Sequence, residues 1–398
     1  MSQSNAARLA LVATSGAMLG ATIGTGCHRD TTLGTPDSFA VYAPVEAAAS
    51  GTPPRSAAGL SLVSSVAPDD PRAEPVYREF GIGFAGEVLR TDYLAKQLVR
   101  DALIGGRRYP DAARAAAAEP TAFVVGGAGS TKAGRGLALK GTFGASDHPN
   151  VNWIALDRYP DHDNALPQTL AGLIARAAAA RVAGADGPPP AALLEGYARA
   201  LEVIAREWRV GEGANGAIAP AAGTREQRDL FAAIRENRYA VGPDGAPRPP
   251  GELLADPGLA ATVLYRLVQS KSVGRKVAPP EVYAPFVTDR IPPGISPAAV
   301  LGPFRNFQAK LLSAWGRAVL EGHPPRDIAD LVEAYGRALP AERAEVIRIF
   351  VITTYGATVR PGGVRLPAGD AGAALPELTA LAAQVAAGKL SARAALSQ

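Results

Sequence analysis

Residues 191–210 read AALLEGYARALEVIAREWRV and follow three consecutive prolines at 188–190. Large apolar residues recur in this stretch every three or four positions: Leu193, Tyr197, Leu201, Ile204 and Trp208. That spacing places side chains on one face of an α-helix. The stretch therefore predicts a long helix that buries one face against a core.

The same periodicity continues on both sides of this stretch. Pro167 suits the first turn of a helix that Gly184 ends, and Thr224 with Gln227 forms a capping box ahead of another. Further helices are predicted at residues 259–268, 304–319, 327–339, 341–352 and 376–385. The predicted fold class is mainly α, a multi-helix, bundle-like domain.

A different pattern occupies residues 121–158. Residues 121–125, 137–143 and 152–158 are rich in apolar and β-forming side chains and are separated by Gly-rich turns. Three such segments make a small sheet at most. The sequence therefore predicts a small β insertion, at about residues 121–158, within the helical domain.

The N-terminus has the composition of an export signal. Arg8 precedes an uncharged stretch at residues 9–26, which ends in the small residues Gly24, Thr25 and Gly26 just before Cys27. This arrangement resembles the lipobox of bacterial lipoproteins, although Gly24 stands where that motif has a bulky aliphatic residue. The resemblance implies a signal peptide at residues 1–26, lipid on Cys27 and a place in the bacterial cell envelope. Cleavage by ordinary signal peptidase, giving a periplasmic or secreted protein, and retention as an anchor helix are the alternatives.

Residues 27–75 combine the candidate lipid-anchor cysteine with a segment rich in Pro, Ser and Ala. The segment shows no sustained hydrophobic periodicity, so it is predicted to be a disordered, flexible tether. The folded, mainly helical body is then expected at residues 76–398.

Composition narrows the range of partners. Removing residues 1–26 leaves 40 basic against 37 acidic side chains, a net charge of +3. So small a surplus over so long a chain excludes an extended nucleic-acid footprint unless the charges cluster on one face. The expected partners are a membrane, through the lipid anchor, and an envelope protein or glycan.

The segment at residues 124–136, VVGGAGSTKAGRG, follows a predicted strand as phosphate-binding loops do. It has Ser130 and Thr131 before Lys132, the reverse of the Walker order, and a strand rather than a helix is predicted after it. We therefore interpret it as a mobile turn between two strands, and no nucleotide cofactor is predicted.

Metal-ligating residue types concentrate nearby. Two histidines and four aspartates fall within seventeen residues around one predicted strand. Asp147 is the first of them, and the five candidate metal ligands are His148, Asp157, Asp161, His162 and Asp163. Imidazole and carboxylate groups are common ligands of divalent metals. The spacing matches none of the recurrent helix-borne signatures, and an ordinary polar surface loop has the same composition.

Three acids near the start of the body, Glu79, Glu87 and Asp92, suit either glycosidase carboxylates or solvated helix ends. Thr91 or Asp92 is predicted to cap the first helix of the body, whose apolar residues fall at 94, 98, 99 and 103 and which Gly105 and Gly106 end. His323 lies in a Gly-His-Pro-Pro loop, where a catalytic role is not favoured. Residues 239–251 and 271–297 are predicted to be exposed recognition loops.

Two functions therefore stay open at the level of sequence. The first is an envelope lipoprotein that acts as a binding or scaffold module on a membrane and needs no cofactor. The alternative is an extracytoplasmic hydrolase that uses a divalent metal ion in the 147–162 segment.

Overall fold

The computed structural model describes most of the helical body and part of the N-terminal region. The described residues are 39–44, 63–71, 73–82, 84–101, 108–118, 121–125, 138–140, 152–156, 166–184, 190–211, 224–283, 297–356, 358–360, 363–365 and 371–397. Most of them are helical, which confirms the predicted mainly α fold class with a small β element.

The helices within these ranges are α1 (Glu74–Ile82), α2 (Phe84–Asp101), α3 (Asp111–Ala118), α4 (Leu166–Ala183), α5 (Ala191–Gly211), α6 (Arg225–Arg235), α7 (Pro250–Ala255), α8 (Pro257–Gln269), α9 (Lys271–Arg275), α10 (Pro280–Tyr283), α11 (Pro297–Leu320), α12 (Ile328–Ala338), α13 (Arg343–Thr354), α14 (Ala371–Ala386) and α15 (Ala392–Ala395). The strands are β1 (Phe39–Pro44), β2 (Val63–Ser65), β3 (Thr121–Val125), β4 (Ala138–Lys140), β5 (Asn152–Leu156), β6 (Thr358–Arg360) and β7 (Gly363–Arg365).

Helix α5 forms from the stretch that opened the sequence analysis, and it packs between α4 and α8. Leu193, Tyr197, Leu201 and Ile204 are all buried, as their spacing predicts. The helices approach closely at Gly196, where a Cβ atom would lie 2.5 Å from the Ala260 Cβ and 3.0 Å from the Pro257 carbonyl oxygen. Small residues on both helices therefore bring the two backbones together.

Two helices are buried almost all round. Helix α8 is buried at every position from Gly258 to Leu267, and α13 is buried at 346–347 and 349–354. A helix that is apolar on all sides belongs at the centre of a core. Arg348 interrupts the apolar run of α13 and pairs at the helix surface with Glu345, at 2.8 Å.

Several predicted helix ends are confirmed. The Thr224 side chain accepts a hydrogen bond from the Gln227 amide, and the Gln227 side chain accepts one from the Thr224 amide, which completes the capping box. Gly184 and Gly322 follow α4 and α11 with φ of 80° and 81°, a conformation that favours glycine.

The predicted start of the first helix at Thr91 or Asp92 is wrong. Helix α2 begins at Phe84, and both residues lie in its interior with exposures of 0 and 1%. Asp92 is tolerated there because its carboxylate finds tertiary partners, which a local sequence pattern cannot reveal.

The prediction of an exposed loop at 271–297 is wrong for the first part of that segment. Residues 271–275 and 280–283 are the short helices α9 and α10, and residues 284–296 lie outside the described part of the chain. Ser270 caps α9 by accepting a hydrogen bond from the Val273 amide, which is a capping signal that the composition of the segment conceals.

The sheet has five strands in the order β2-β1-β3-β5-β4. The three central strands are parallel, with Phe39 opposite Thr121 and Ala122 opposite Trp153, and the edge strands β2 and β4 are antiparallel to their neighbours. Helices α1, α2 and α3 connect the β1–β2 pair to β3. Strands β6 and β7 form a separate hairpin.

The sheet extends beyond the predicted β insertion. Strands β1 and β2 fall inside the predicted tether at residues 27–75, and α1 begins at Glu74. Phe39 packs against Tyr77 and Phe123 with ring centroids 5.2 and 6.2 Å away, and this burial holds β1 in the body. The rest of the 27–75 segment, apart from 66–71 and 73, lies outside the described residues.

Among the described residues, no helix has the length and apolar character needed to cross a bilayer.

Gly196→Ala should lower the free energy of unfolding by about 1–3 kcal/mol, because the added Cβ overlaps the α8 backbone and neither helix can move without disturbing the core. Gly251→Ala is the matched control, since a Cβ there meets nothing within 4 Å. Urea unfolding of both variants measures the difference. Equal stabilities would contradict the close approach of α5 and α8.

Candidate functional site

The candidate site residues from the sequence lie outside the described part of the chain. This holds for the lipidation candidate Cys27 and for the candidate metal ligands His148, Asp157, Asp161, His162 and Asp163. The strands around the candidate ligands are described, and they fix where those chain segments leave the sheet.

Two of these segments leave the same edge of the sheet. Strands β3 and β5 are parallel neighbours with Val125 opposite Leu156. The Gly-rich segment follows Val125 and Asp157 follows Leu156. Ligands of parallel sheets bind beyond the carboxyl ends of the strands, so this edge is the better-placed one for a site.

The segment that contains His148 is attached at the other end of β5. It connects Lys140 to Asn152, and these two residues are paired in the antiparallel β4–β5 ladder. From Asn152 to Leu156 the strand rises by about 13 Å at roughly 3.3 Å per residue. The candidate ligands therefore belong to two groups with separate points of attachment.

Within the described residues, no group of three or more His, Cys, Asp or Glu side chains has the geometry to hold a metal ion. Two clusters of buried charge are present instead, one around Asp92 and one around Lys310.

The Asp92 carboxylate joins α2 to α4 and to β3. It accepts hydrogen bonds from the Thr121 hydroxyl at 2.5 Å and from Arg181 Nε at 2.9 Å, and Lys96 Nζ lies 3.7 Å away. Burial by itself would raise the pKa of Asp92, but the charges of Arg181 and Lys96 and the two hydrogen bonds outweigh it and hold the pKa below its ordinary value. The carboxylate stays ionised and buried.

Asp92 is neither a solvated helix end nor a glycosidase carboxylate, because its side chain is buried and cannot reach water or a sugar. Glu87 is also occupied, since Arg305 binds it through two hydrogen bonds of 2.6 and 2.9 Å. The side chain of Glu79 lies outside the described residues. Asp92 and Glu87 thus hold elements of the fold together.

Lys310 forms the second buried cluster. Its ammonium group lies 2.9 and 3.0 Å from the two Glu342 carboxylate oxygens and donates to the carbonyls of Val273 and Lys276. The Tyr335 hydroxyl donates to the same carboxylate at 2.8 Å. Burial lowers the pKa of Lys310, and Glu342 opposes the shift. All of these contacts tie the α9 segment to α11 and to the α12–α13 turn.

An open cleft of about 870 Å³ lies on the surface and is lined by residues from the C-terminal part of the sequence. We call it the basic cleft. The turn after α11, one face of α12, Arg343 of α13 and the turn between α14 and α15 line it: Gly322, His323, Pro324, Arg326, Asp330, Glu333, Arg337, Arg343, Gly388, Lys389, Leu390 and Ser391. Because these residues come from distant segments, no sequence motif marks the cleft. His323 is exposed at its rim.

A second depression, of about 770 Å³, borders the predicted recognition loop at 239–251. There the Gly242 amide donates to the Ala246 carbonyl, and Arg248 bonds Asp256, Glu252 and the Tyr239 carbonyl. The segment is a tightly tied turn in which Arg248 is paired with Asp256 and Glu252 and Asp244 accepts a hydrogen bond from the Ala246 amide. The basic cleft therefore has more capacity for a charged partner.

Asp92→Asn should lower the free energy of unfolding at pH 7 by about 3–5 kcal/mol, because Arg181 and Lys96 lose their buried counter-charge. Because the folded-state pKa of Asp92 lies below the unfolded value of about 3.9, its contribution is complete above about pH 4 and is lost as the pH falls through the folded-state pKa. Urea unfolding between pH 7 and pH 3 should show the gap between wild type and variant closing on acidification.

Asp229→Asn is the control for this prediction, since Asp229 pairs with Arg225 at 3.6 Å in a largely exposed position. Its expected cost is below about 1 kcal/mol. If Asp92→Asn were as stable as Asp229→Asn at pH 7, the buried ionic cluster would not stabilise the fold.

No known protein family, curated protein or solved structure matches this chain.

Proposed function

We propose that the protein is a bacterial envelope lipoprotein, anchored through Cys27, whose helical body serves as a binding or scaffold module. Three features of the N-terminal sequence support export and anchoring in the envelope: Arg8, the uncharged stretch at 9–26 and the small residues before Cys27. The observation that carries the binding role is the basic cleft, an open surface with a surplus of cationic side chains.

Because β1 belongs to the sheet, the connection between Cys27 and the folded body is shorter than the predicted tether at residues 27–75. With β1 beginning at Phe39, eleven residues separate Cys27 from the sheet. A chain of that length spans at most about 40 Å when fully extended. An anchored body would therefore stay close to the bilayer, so its partners are best sought among proteins and glycans near that membrane.

Replacing Cys27 by Ala tests the anchor. The variant should be released from the membrane fraction, since lipid at Cys27 is the attachment proposed, and mass spectrometry of wild type should find an acylated N-terminal cysteine. Ser15→Ala, inside the predicted signal, is the control and should leave the fractionation unchanged. An unmodified Cys27 still joined to residues 1–26 would rule out lipidation.

The binding role is tested separately. The mature protein, immobilised and exposed to envelope extract, should retain a protein or glycan. Turnover of a substrate without any retained partner would contradict the role as a binding module.

The alternative is a hydrolase that uses a divalent metal near Asp157. The observation that favours it is the shared edge of β3 and β5, from which both the Gly-rich segment and the segment containing Asp157, Asp161, His162 and Asp163 depart. A metal there would activate water, and the Gly-rich segment would border the substrate.

Metal analysis with two single variants tests this alternative. His162→Ala should remove the metal, because His162 follows the carboxyl end of β5. His148→Ala should retain it, because His148 belongs to the segment attached at the opposite end of the strand. Elemental analysis of the purified protein measures both. Metal-free wild type, or equal loss in the two variants, would contradict this site.

A further inference from the structure

We propose that the basic cleft binds an acidic segment of a protein partner, through the carboxylates of two or more Asp or Glu side chains. The inference rests on the proposed binding role and gives its partner a chemical class. It depends on the charge balance of the cleft, on the arrangement of its cations and on its shape.

The charge balance favours an anionic ligand. Four lining side chains are cationic, Arg326, Arg337, Arg343 and Lys389, against two carboxylates, Asp330 and Glu333. Within the part of the chain that the structure describes, neither Arg337 nor Lys389 has an ion-pair or side-chain hydrogen-bond partner. Both side chains are exposed, so they can accept a ligand without breaking an existing contact.

The two carboxylates of the cleft cannot neutralise these cations, because each is already engaged. Asp330 accepts from Arg326 Nε at 2.9 Å and from Arg393 at 3.0 Å. Glu333 accepts from Arg343 at 3.0 Å and from the Ala392 amide at 2.8 Å. The surplus of two charges therefore falls on Arg337 and Lys389.

The helix ends beside the cleft do not cancel this surplus. The His323 amide bonds the Ala318 carbonyl, and the Lys389 amide bonds the Gln384 carbonyl. Arg343 donates to the carbonyls of Val385 and Ala386 at the end of α14. Carbonyls that would otherwise present negative charge at these helix ends are thus already satisfied.

Arg337 and Lys389 lie on different elements that line the cleft. Arg337 follows Asp330 and Glu333 on one face of α12. Lys389 comes from the turn that borders the cleft. Neighbouring carboxylates on a peptide can reach separate cations, and the Arg337 guanidinium can bind one of them through two hydrogen bonds.

The shape and charge of the cleft favour a peptide over a bilayer or a nucleic acid. The cleft is an open, concave surface lined by the turns at 322–324 and 388–391, which single side chains of a peptide can enter. Two exposed cations match a ligand with a few carboxylates better than a nucleic-acid backbone, which is bound through many phosphate contacts. Carboxylates spaced along a peptide can pair with Arg337 and Lys389 one at a time.

Fluorescence anisotropy with a short poly-glutamate peptide carrying fluorescein tests the proposal on the purified full-length protein, with poly-glutamine of equal length as the control ligand. The double variant Arg337→Glu, Lys389→Glu should weaken poly-glutamate binding by about tenfold or more. Lys271→Glu, Arg275→Glu makes the same change in net charge at exposed positions outside the cleft and should change binding by less than about twofold.

Several results would overturn the proposal: no binding of poly-glutamate, equal weakening in both double variants, or full competition by inorganic phosphate. Cleft-dependent binding to phosphatidylglycerol vesicles without peptide binding would assign the cleft to a membrane instead. Retention of an envelope partner by the cleft variant at the wild-type level would refute the cleft assignment and leave the proposed binding role standing. Melting curves of both variants verify that they fold.

Discussion

The buried carboxylate of Asp92 is the interaction on which the arrangement of sheet and helices depends. It receives a hydrogen bond from Thr121, the first residue of β3, and an ion pair from Arg181 near the end of α4. One side chain on α2 therefore fixes a central strand and a core helix at the same point. Because two cations face one carboxylate in a region closed to water, removing the anion would cost more than the loss of an ordinary surface pair.

Close packing of small residues extends from that point into the helical body. Helices α4 and α5 carry many alanines, and Gly196 lets α5 approach α8 closely at Ala260 and Pro257. A core with few aromatic side chains obtains its contacts in this way, since short side chains allow many van der Waals contacts between backbones. The Lys310–Glu342 pair then holds the α9 segment and the α12–α13 turn against this body.

Charge is therefore used in two ways in this protein. The buried charges of Asp92 and Lys310 are paired with opposite charges, Asp92 with Arg181 and Lys96 and Lys310 with Glu342, and these pairs hold elements of the fold together. At the basic cleft the acids are compensated by Arg326, Arg343 and Arg393, while Arg337 and Lys389 face solvent. Buried, paired charges are thus distinguished from the exposed cations of the proposed binding surface.

The sequence by itself determined the helical class, the helix α5, the capping box at Thr224 and the helix ends at Gly184 and Gly322, because each depends on residues within a few positions of one another. Only the tertiary structure decided that β1 and β2 join the sheet, that Asp92 is a buried ionic centre and that the cleft residues meet. It also decided that β3 and β5 are parallel neighbours, so that the segments after Val125 and Leu156 leave the sheet at the same end. These features depend on pairings between residues far apart in the chain, for which local periodicity and capping chemistry carry no signal.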